Sequence, residues 1–217
     1  MMTTQASTPR IPRPSLRRLP VYLREVKALR RSGAEWVSCT TLAEAVERDA
    51  TLVRKDISYT GITGKPKVGY HVPELAKALE HFIGWDNETD AFLAGVGNLG
   101  AALLGYSGFA GNGLNIVCGF DSDPAKIGTT VHGREILALT KLPNLALRMH
   151  VEIGIIAVPA GAAQAVAELM ISGGIRALWN FAPAQVDVPE DVIVENEDLS
   201  ASLAVLSRRL ARLHDAE

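Results

Sequence analysis

The sequence predicts an α/β fold, an open and mostly parallel sheet, preceded by a smaller helical domain. Three observations predict it. Beyond residue 90, short apolar runs alternate with helical patterns, the rhythm of parallel strands joined by crossover helices. A glycine-rich turn, Gly95-Val96-Gly97-Asn98-Leu99-Gly100, falls between the first such run and its helix. The charge also divides: residues 1–84 carry 14 basic and 8 acidic side chains (+6), whereas residues 85–217 carry 8 and 16 (−8). An asymmetry of that size marks two domains with different partners.

A chain of 217 residues, 47% hydrophobic and 21% charged, has globular composition and can bury a sizeable core. Its net charge of −2 taken alone argues against a strongly basic nucleic-acid binder; the division near residue 84 reverses that inference. Cys39 and Cys118 form no framework and no metal spacing, and are expected as free core thiols in a reducing, cytoplasmic setting. The first 20 residues are rich in Arg and Pro and lack the apolar core of a secretory signal. The charge-free stretch Ala91–Phe120 is long enough to span a bilayer, but its eight glycines and three asparagines break a spanning helix. No membrane partner is expected.

Residues 1–14 read as a mobile tail. From Ser15, Leu19, Tyr22, Leu23, Val26 and Leu29 recur at helical spacing until Gly33 stops the helix. Ser38 caps a second helix, Cys39 or Thr40 to Glu47, and Asp49 caps a third, Ala50 to Tyr59. The Gly-, Lys- and Pro-rich segment 61–71 reads as a hairpin-like wing ending in a strand at Val68–Val72. A helix follows from Pro73 to Ile83, with Pro in its first turn. The polar stretch 84–90 is the expected domain boundary. Strands are then expected at Ala91–Val96, Leu114–Phe120, Ile153–Val158, Arg176–Asn180 and Val192–Glu195, and helices at Leu99–Tyr106 and Gly161–Ile171. The last helix carries Leu199, Leu203, Leu206, Leu210 and Leu213 as one apolar stripe behind Asp198, a plausible cap. That stripe packs on its own sheet, or belongs to a helix exchanged or paired in a dimer.

The glycine turn carries the first chemistry. Gly95 permits the tight turn, Gly97 lets a pyrophosphate approach the backbone, and Gly100 lets helix and strand pack closely. The helix then presents free N–H groups and its positive dipole end to phosphates. Asp121 ends the second strand, 21 residues beyond Gly100, where a carboxylate accepts the ribose hydroxyls and repels a 2′-phosphate. Asp123 is its close competitor. Val158 and Pro159 end another strand on the same edge, where the nicotinamide half of a dinucleotide would lie. This is a Rossmann-like NAD(H)-binding pattern, and it accounts for the absence of charge between residues 91 and 120.

The basic front half carries the second. Residues 38–71 hold two helices joined by a short turn near Asp49 and read as a helix-turn-helix with its wing, the third helix being the recognition helix. Leu52, Val53, Ile57 and Tyr59 face the core; Thr51, Arg54, Lys55 and Ser58 face outward, toward bases and phosphates. Lys65 and Lys67 on the wing suit phosphate contacts. None of the five histidines sits in a recognisable base–carboxylate arrangement, and no room remains for a substrate domain, which argues against an enzyme. An NAD-dependent oxidoreductase with an accessory N-terminal domain would rest on the fingerprint alone, and a CoA-binding or ligase-like module would share the same sheet.

The chain resembles the Rex family of redox-sensing transcriptional repressors. The resemblance runs from Ile11 to Leu206 and rests on RLPVYLR at 18–24, VRKDISYTGITG at 53–64, VGY at 68–70, GVGNLGAALLGYSGF at 95–109, FDSDPAKIG at 120–128, VPAGAAQ at 158–164, NFAP at 180–183 and NEDLSASL at 196–203. It implies a winged-helix domain over 15–84, an NAD(H)-binding domain over 85–195, and a C-terminal helix, 196–217, swapped between the subunits of a homodimer. It also implies repression at a palindromic, double-stranded operator, with NADH binding releasing the DNA and NAD+ permitting its retention. Tyr106 and Lys126 join the cofactor set by their places in the matching motifs. Arg24, Tyr106 and Asp198 match the positions that couple cofactor to winged helix; Asp198 could pair with Arg24 or accept the Tyr106 hydroxyl, hardly both. The wing departs from the family, with Pro66 and Lys67 where an arginine-glycine pair is common.

Overall fold

The computed structural model describes residues 11–214, with Leu199 described by its backbone alone. It divides into two compact units that meet between Asn87 and Glu88.

The first unit is built on α1 (Arg13–Arg31), whose face of Leu19, Tyr22, Leu23 and Val26 is fully buried. The helix begins two residues before the expected Ser15, because Pro14 supplies the fixed φ of a first turn and needs no N–H partner there. Residues 1–10 of the expected tail lie outside the described residues. α2 (Cys39–Ala45) is capped by Ser38, whose hydroxyl accepts the Thr41 amide at 3.0 Å. α3 (Ala50–Ser58) is capped by Asp49, which accepts the amides of Thr51 and Leu52. α4 (Val72–Phe82) starts at Val72, one residue early. These helices enclose one core that includes Leu42, Val53, Ile57, Leu75 and Leu79.

The expected wing strand over Val68–Val72 is shorter than the pattern suggested. Only Tyr70–His71 (β2) pair, antiparallel with Trp36–Val37 (β1), a strand the sequence reading had not assigned. Val68 is exposed in a turn closed by a bridge between Lys65 and Gly69. Gly69 is required there: at φ +113° it lies so close to the Val37 carbonyl that a Cβ would collide with it.

The second unit is a seven-stranded sheet in the order β5-β6-β4-β3-β7-β8-β9. The strands are β3 (Thr89–Ala94), β4 (Leu114–Asp121), β5 (Thr130–Val131), β6 (Arg134–Ala138), β7 (Ile153–Ile156), β8 (Ala177–Asn180) and β9 (Ile193–Asn196). All pair in parallel except the edge strand β5. Counted along the chain, the six parallel strands run 3-2-1-4-5-6, the doubly wound order whose switch point lies at the central strand. Alternate residues of β3 enter different cores. Ala91 and Leu93 pack with Val96, Leu104 and Ile136. Phe92 and Ala94 pack with side chains of α6 (Leu142–Met149) and α7 (Ala160–Ser172), among them Ala146, Val166 and Met170.

β3 starts inside the expected linker, since Thr89 and Asp90 already pair with Leu114 and Asn115. β5, β6 and α6 fill a stretch that the sequence reading left unassigned. The β5–β6 turn is made by His132 and Gly133, both at positive φ, a hairpin signal that an Asn-Gly pair would have made obvious. The terminal helix α8 (Leu199–His214) matches the leucine stripe. In the single chain the stripe stands open: Leu203, Leu206, Leu210 and Leu213 are 53–68% exposed.

Candidate cofactor and nucleic-acid sites

The glycine turn joins β3 to α5 (Asn98–Leu104) at the C-terminal edge of the sheet. Its three glycines meet three different surroundings. Gly95, at φ +94°, faces the Ala157 carbonyl, which a Cβ would approach to 2.5 Å. A Cβ on Gly100 would run into the Gly95 carbonyl, so this glycine lets α5 close on its own turn. At Gly97 a Cβ would meet nothing within 4 Å. No protein atom requires a glycine there, and the open side fits a ligand's close approach. The amides of the first turn, Asn98, Leu99 and Gly100, have no helical carbonyl to bond.

Asp121 ties this turn to the end of β4. Its Oδ2 accepts the Val96 amide at 2.8 Å and the Lys126 ammonium at 3.0 Å; its Oδ1 accepts the Asp123 amide at 2.9 Å. Burial alone pushes its carboxyl up, but the Asp123 and Val96 amides and the Lys126 ammonium outweigh that and hold it below the usual carboxylate range. The competitor Asp123 is exposed and accepts the Ala125 amide, the role of a turn residue. Val158 and Pro159 follow β7 on the same edge, and Val158 packs beside Gly95. Gly95 to Gly100, Asp121, Lys126 and Val158 thus come together from three neighbouring strands. The residues present fit a dinucleotide: an open glycine, free amides for a pyrophosphate, and a buried carboxylate at the end of β4 for a ribose.

Tyr106 is 59% exposed and its ring heads an aromatic row through Phe109, Trp179 and Phe181. Asn180 is a buried anchor the sequence reading missed, although it opens the NFAP motif. Its amide bonds the Ala184 carbonyl and Asn196, and its oxygen accepts the Ala182 amide. It sits at the end of β8 and fixes the loop there.

In the first unit, α3 buries Val53 and Ile57, half-buries Leu52, and exposes Thr51, Arg54, Lys55 and Ser58 on the outer side. The Ser58 hydroxyl donates to the Lys55 carbonyl at 2.7 Å. Lys65 lies 5.6 Å over the Trp36 ring, and Lys67 stands at the wing tip with φ +61°. Two of the residues expected to couple cofactor to winged helix use their hydrogen bonds locally: Arg24 bonds Glu25, and Asp198 accepts the amide and hydroxyl of Ser200 at the start of α8. Among the described residues no group of His, Cys, Asp and Glu side chains is arranged to hold a metal ion. No described helix is long and apolar enough to cross a membrane.

An unforeseen cluster lies under α3. Asp56 is fully buried and accepts Arg18 through two bonds, Nε at 2.6 Å and Nη2 at 2.9 Å, and the Tyr22 hydroxyl at 2.7 Å. The sequence shows RKD as one charged triplet; only the pairing of α1 with α3 reveals that its third member points inward.

Residues 86–184 match the family described as "CoA binding domain", and residues 10–58 the family described as "Putative DNA-binding protein N-terminus". A protein of Porphyromonas gingivalis called redox-sensing transcriptional repressor Rex is 45% identical over 204 residues, covering 94% of this chain and 94% of the relative. A crystal structure of RSP in complex with beta-NAD+ and operator DNA superposes with a TM-score of 0.89 at 33% identity, covering 94% of both chains. The same protein in complex with beta-NADH gives 0.85 at 32% identity, covering 94% of this chain and 96% of that one.

Proposed function

Because the chain belongs to the Rex family of redox-sensing transcriptional repressors, we propose that it binds operator DNA as a dimer and leaves it when NADH replaces NAD+. It is a regulator and not an enzyme. The observation that carries the reading is the pairing, in one chain, of an outward basic face on α3 with a glycine turn whose middle glycine is open and whose neighbouring carboxylate is buried.

The working parts are residues 15–84 as the DNA reader, 85–195 as the dinucleotide reader and 196–217 as the helix exchanged between subunits, behind a tail of residues 1–14. Gly97 and the first amides of α5 receive the pyrophosphate, Asp121 accepts the adenosine ribose hydroxyls with Lys126 beside it, and Val158, Pro159 and Tyr106 border the nicotinamide half. When bound, the dinucleotide supplies the redox-dependent difference in binding energy that shifts the dimer between DNA-competent and DNA-free arrangements. Arg54 and Lys55, with Thr51 and Ser58, meet the major groove, while Lys65 and Lys67 meet phosphates. Asp198 exchanges between Arg24 and the Tyr106 hydroxyl as the two-state element. Such a repressor works in the cytoplasm, where Cys39 and Cys118 stay reduced.

The test is a titration of operator release against NADH at several fixed NAD+ concentrations, with coenzyme A as competitor. Release that rises with NADH and is opposed by NAD+ is expected. Unchanged DNA affinity at saturating NADH would refute the reading, and displacement of NADH by coenzyme A would favour the CoA-binding alternative.

A further inference from the structure

The cluster under α3 asks why a short helix buries a charge in its packing face. α3 has nine residues and two fully buried apolar anchors, Val53 and Ile57. Asp56 lies on the same face, next to Ile57 and three residues after Val53. An apolar side chain of similar volume would pack there, and replacing buried ion pairs in that way is often neutral or stabilising. Stability is therefore a poor explanation for the carboxylate. Direction is a better one. Apolar contacts between two helices tolerate sliding and rolling, whereas hydrogen bonds lose their strength outside a narrow range of distance and angle.

The geometry here is highly directional. Arg18 and Tyr22 are one helical turn apart on α1, so both reach the same point on α3. The Arg18 guanidinium forms a two-pronged fork on Asp56, and its Nη2 also donates to the Ser15 hydroxyl at 3.1 Å. The Tyr22 hydroxyl adds a third bond to the carboxylate from within the core. Side-chain tips circle a helix axis at about 5–6 Å, so a roll of roughly 20° displaces them by about 2 Å. That is several times the tolerance of a bidentate contact to a base edge. Arg54 and Lys55 directly precede Asp56 in the chain, so whatever fixes the roll at Asp56 fixes theirs.

We propose that Asp56, gripped by Arg18 and Tyr22, is a positioning residue for sequence reading: it locks the roll of α3 on α1 so that Thr51, Arg54, Lys55 and Ser58 meet base edges in register. Asp56 itself touches no DNA. The proposal rests on the reading of α3 as the recognition helix. It separates two properties that a generally weakened domain would lose together, affinity for DNA as such and preference for one sequence.

The experiment replaces the cluster as a whole, Arg18→Met with Tyr22→Phe and Asp56→Leu, in the full-length protein. The probes are a duplex selected by the unsubstituted protein from a random-sequence library and a scrambled duplex of equal length. The triple variant is expected to bind NADH as before, and to bind the scrambled duplex with unchanged affinity and salt dependence, because the phosphate-contacting lysines and arginines remain. Its preference for the selected duplex should fall about ten- to hundredfold, the cost of misreading one or more base pairs. Arg18→Lys and Tyr22→Phe alone, which keep the charge pair but remove the fork or the third bond, should each show part of that loss and decide the matter if the triple variant fails to fold. Undiminished preference in the triple variant, or in both single variants where it does not fold, overturns the clamp while leaving α3 as the reader. No sequence preference in the unsubstituted protein overturns both.

Discussion

Asp121 holds three donors at once, and this arrangement shapes what a ribose must do to bind. A carboxylate offers about four acceptor sites; the Val96 and Asp123 amides and the Lys126 ammonium occupy three of them. The two amides are part of the backbone frame, so the ammonium is the group that yields when two hydroxyls arrive. Asp121→Ala should weaken NADH by about ten- to hundredfold, the scale of one or two charge-assisted hydrogen bonds, and leave DNA affinity in the absence of cofactor unchanged; isothermal titration measures the first and a gel-shift assay the second. Lys126→Met should sharpen the preference for NADH over NADPH, because it removes the cation that offsets the carboxylate's repulsion of a 2′-phosphate. An unchanged ratio of the two dissociation constants would reject that role.

Asp56 and Tyr22 give the same scale a pH signature. Burial pushes the Asp56 carboxyl up, but the bonds from Arg18, Tyr22 and Ser15 hold it below its ordinary value. Its stabilisation is therefore complete above an unfolded pKa of about 3.9 and is lost as pH falls through the lower folded value. Burial, then the bond to Asp56, pushes the Tyr22 phenol up to about 12. That contribution is complete below about pH 10, the unfolded value, and is lost as pH rises through the folded one. Melts of the protein should show a plateau between these limits, and Tyr22→Phe should remove the alkaline slope specifically.

At the scale of elements, the wing and the last helix carry the clearest consequences. Lys67 adopts a left-handed conformation at the wing tip, which disfavours a residue with a Cβ by about 1–2 kcal/mol. Lys67→Gly should therefore leave thermal stability equal or higher. If Lys67 contacts a phosphate, the same change lowers the slope of log affinity against log salt by about 0.9. Equal or higher stability with an unchanged slope would place the wing tip away from DNA. α8 presents four leucines to solvent over 16 residues, and burying what each still exposes would contribute about 1–2 kcal/mol. That is a strong incentive for a partner surface, and the proposed exchange of this helix would satisfy it with a second copy. Replacing Leu203, Leu206 and Leu210 with Gln should shift the protein from dimer to monomer in analytical ultracentrifugation and abolish tight binding to a palindrome, while NADH still binds at the glycine turn. A dimer of undiminished stability would reject the exchange.

The whole molecule joins a unit of positive charge to one of negative charge, divided between Asn87 and Glu88. Its function requires the two ligands to compete through the chain without sharing a site. In the proposed switch the coupling rests on Asp198, exposed at the head of α8, and on Arg24, exposed on α1. Asp198→Ala should leave NADH and operator affinities, measured separately, within a few-fold of normal. It should shrink the NADH-induced drop in operator affinity; allosteric coupling of this kind is typically worth about 1–3 kcal/mol. If NADH releases operator from that variant as before, the switch runs through other residues.

Much of this was legible in the sequence because the relevant signals are local. The glycine turn, the Ser38 and Asp49 caps and the outward face of α3 depend on residues within a few positions of one another, and the alternation of apolar runs needs only a window of a strand and a helix. The division of charge near residue 84 likewise required no structure. What the tertiary structure alone decided are pairings across long separations. Asp56 reads as one more charge beside Arg54 and Lys55 until α1 places Arg18 and Tyr22 on it from 38 and 34 residues away. The strand at Trp36–Val37 is too short to announce itself and exists because Tyr70–His71 pairs with it. Asn180 becomes an anchor only when β8 and β9 run side by side. Periodicity and capping act along the chain and can be read there; the burial of a charge depends on which distant group satisfies it, and only the folded chain supplies that group.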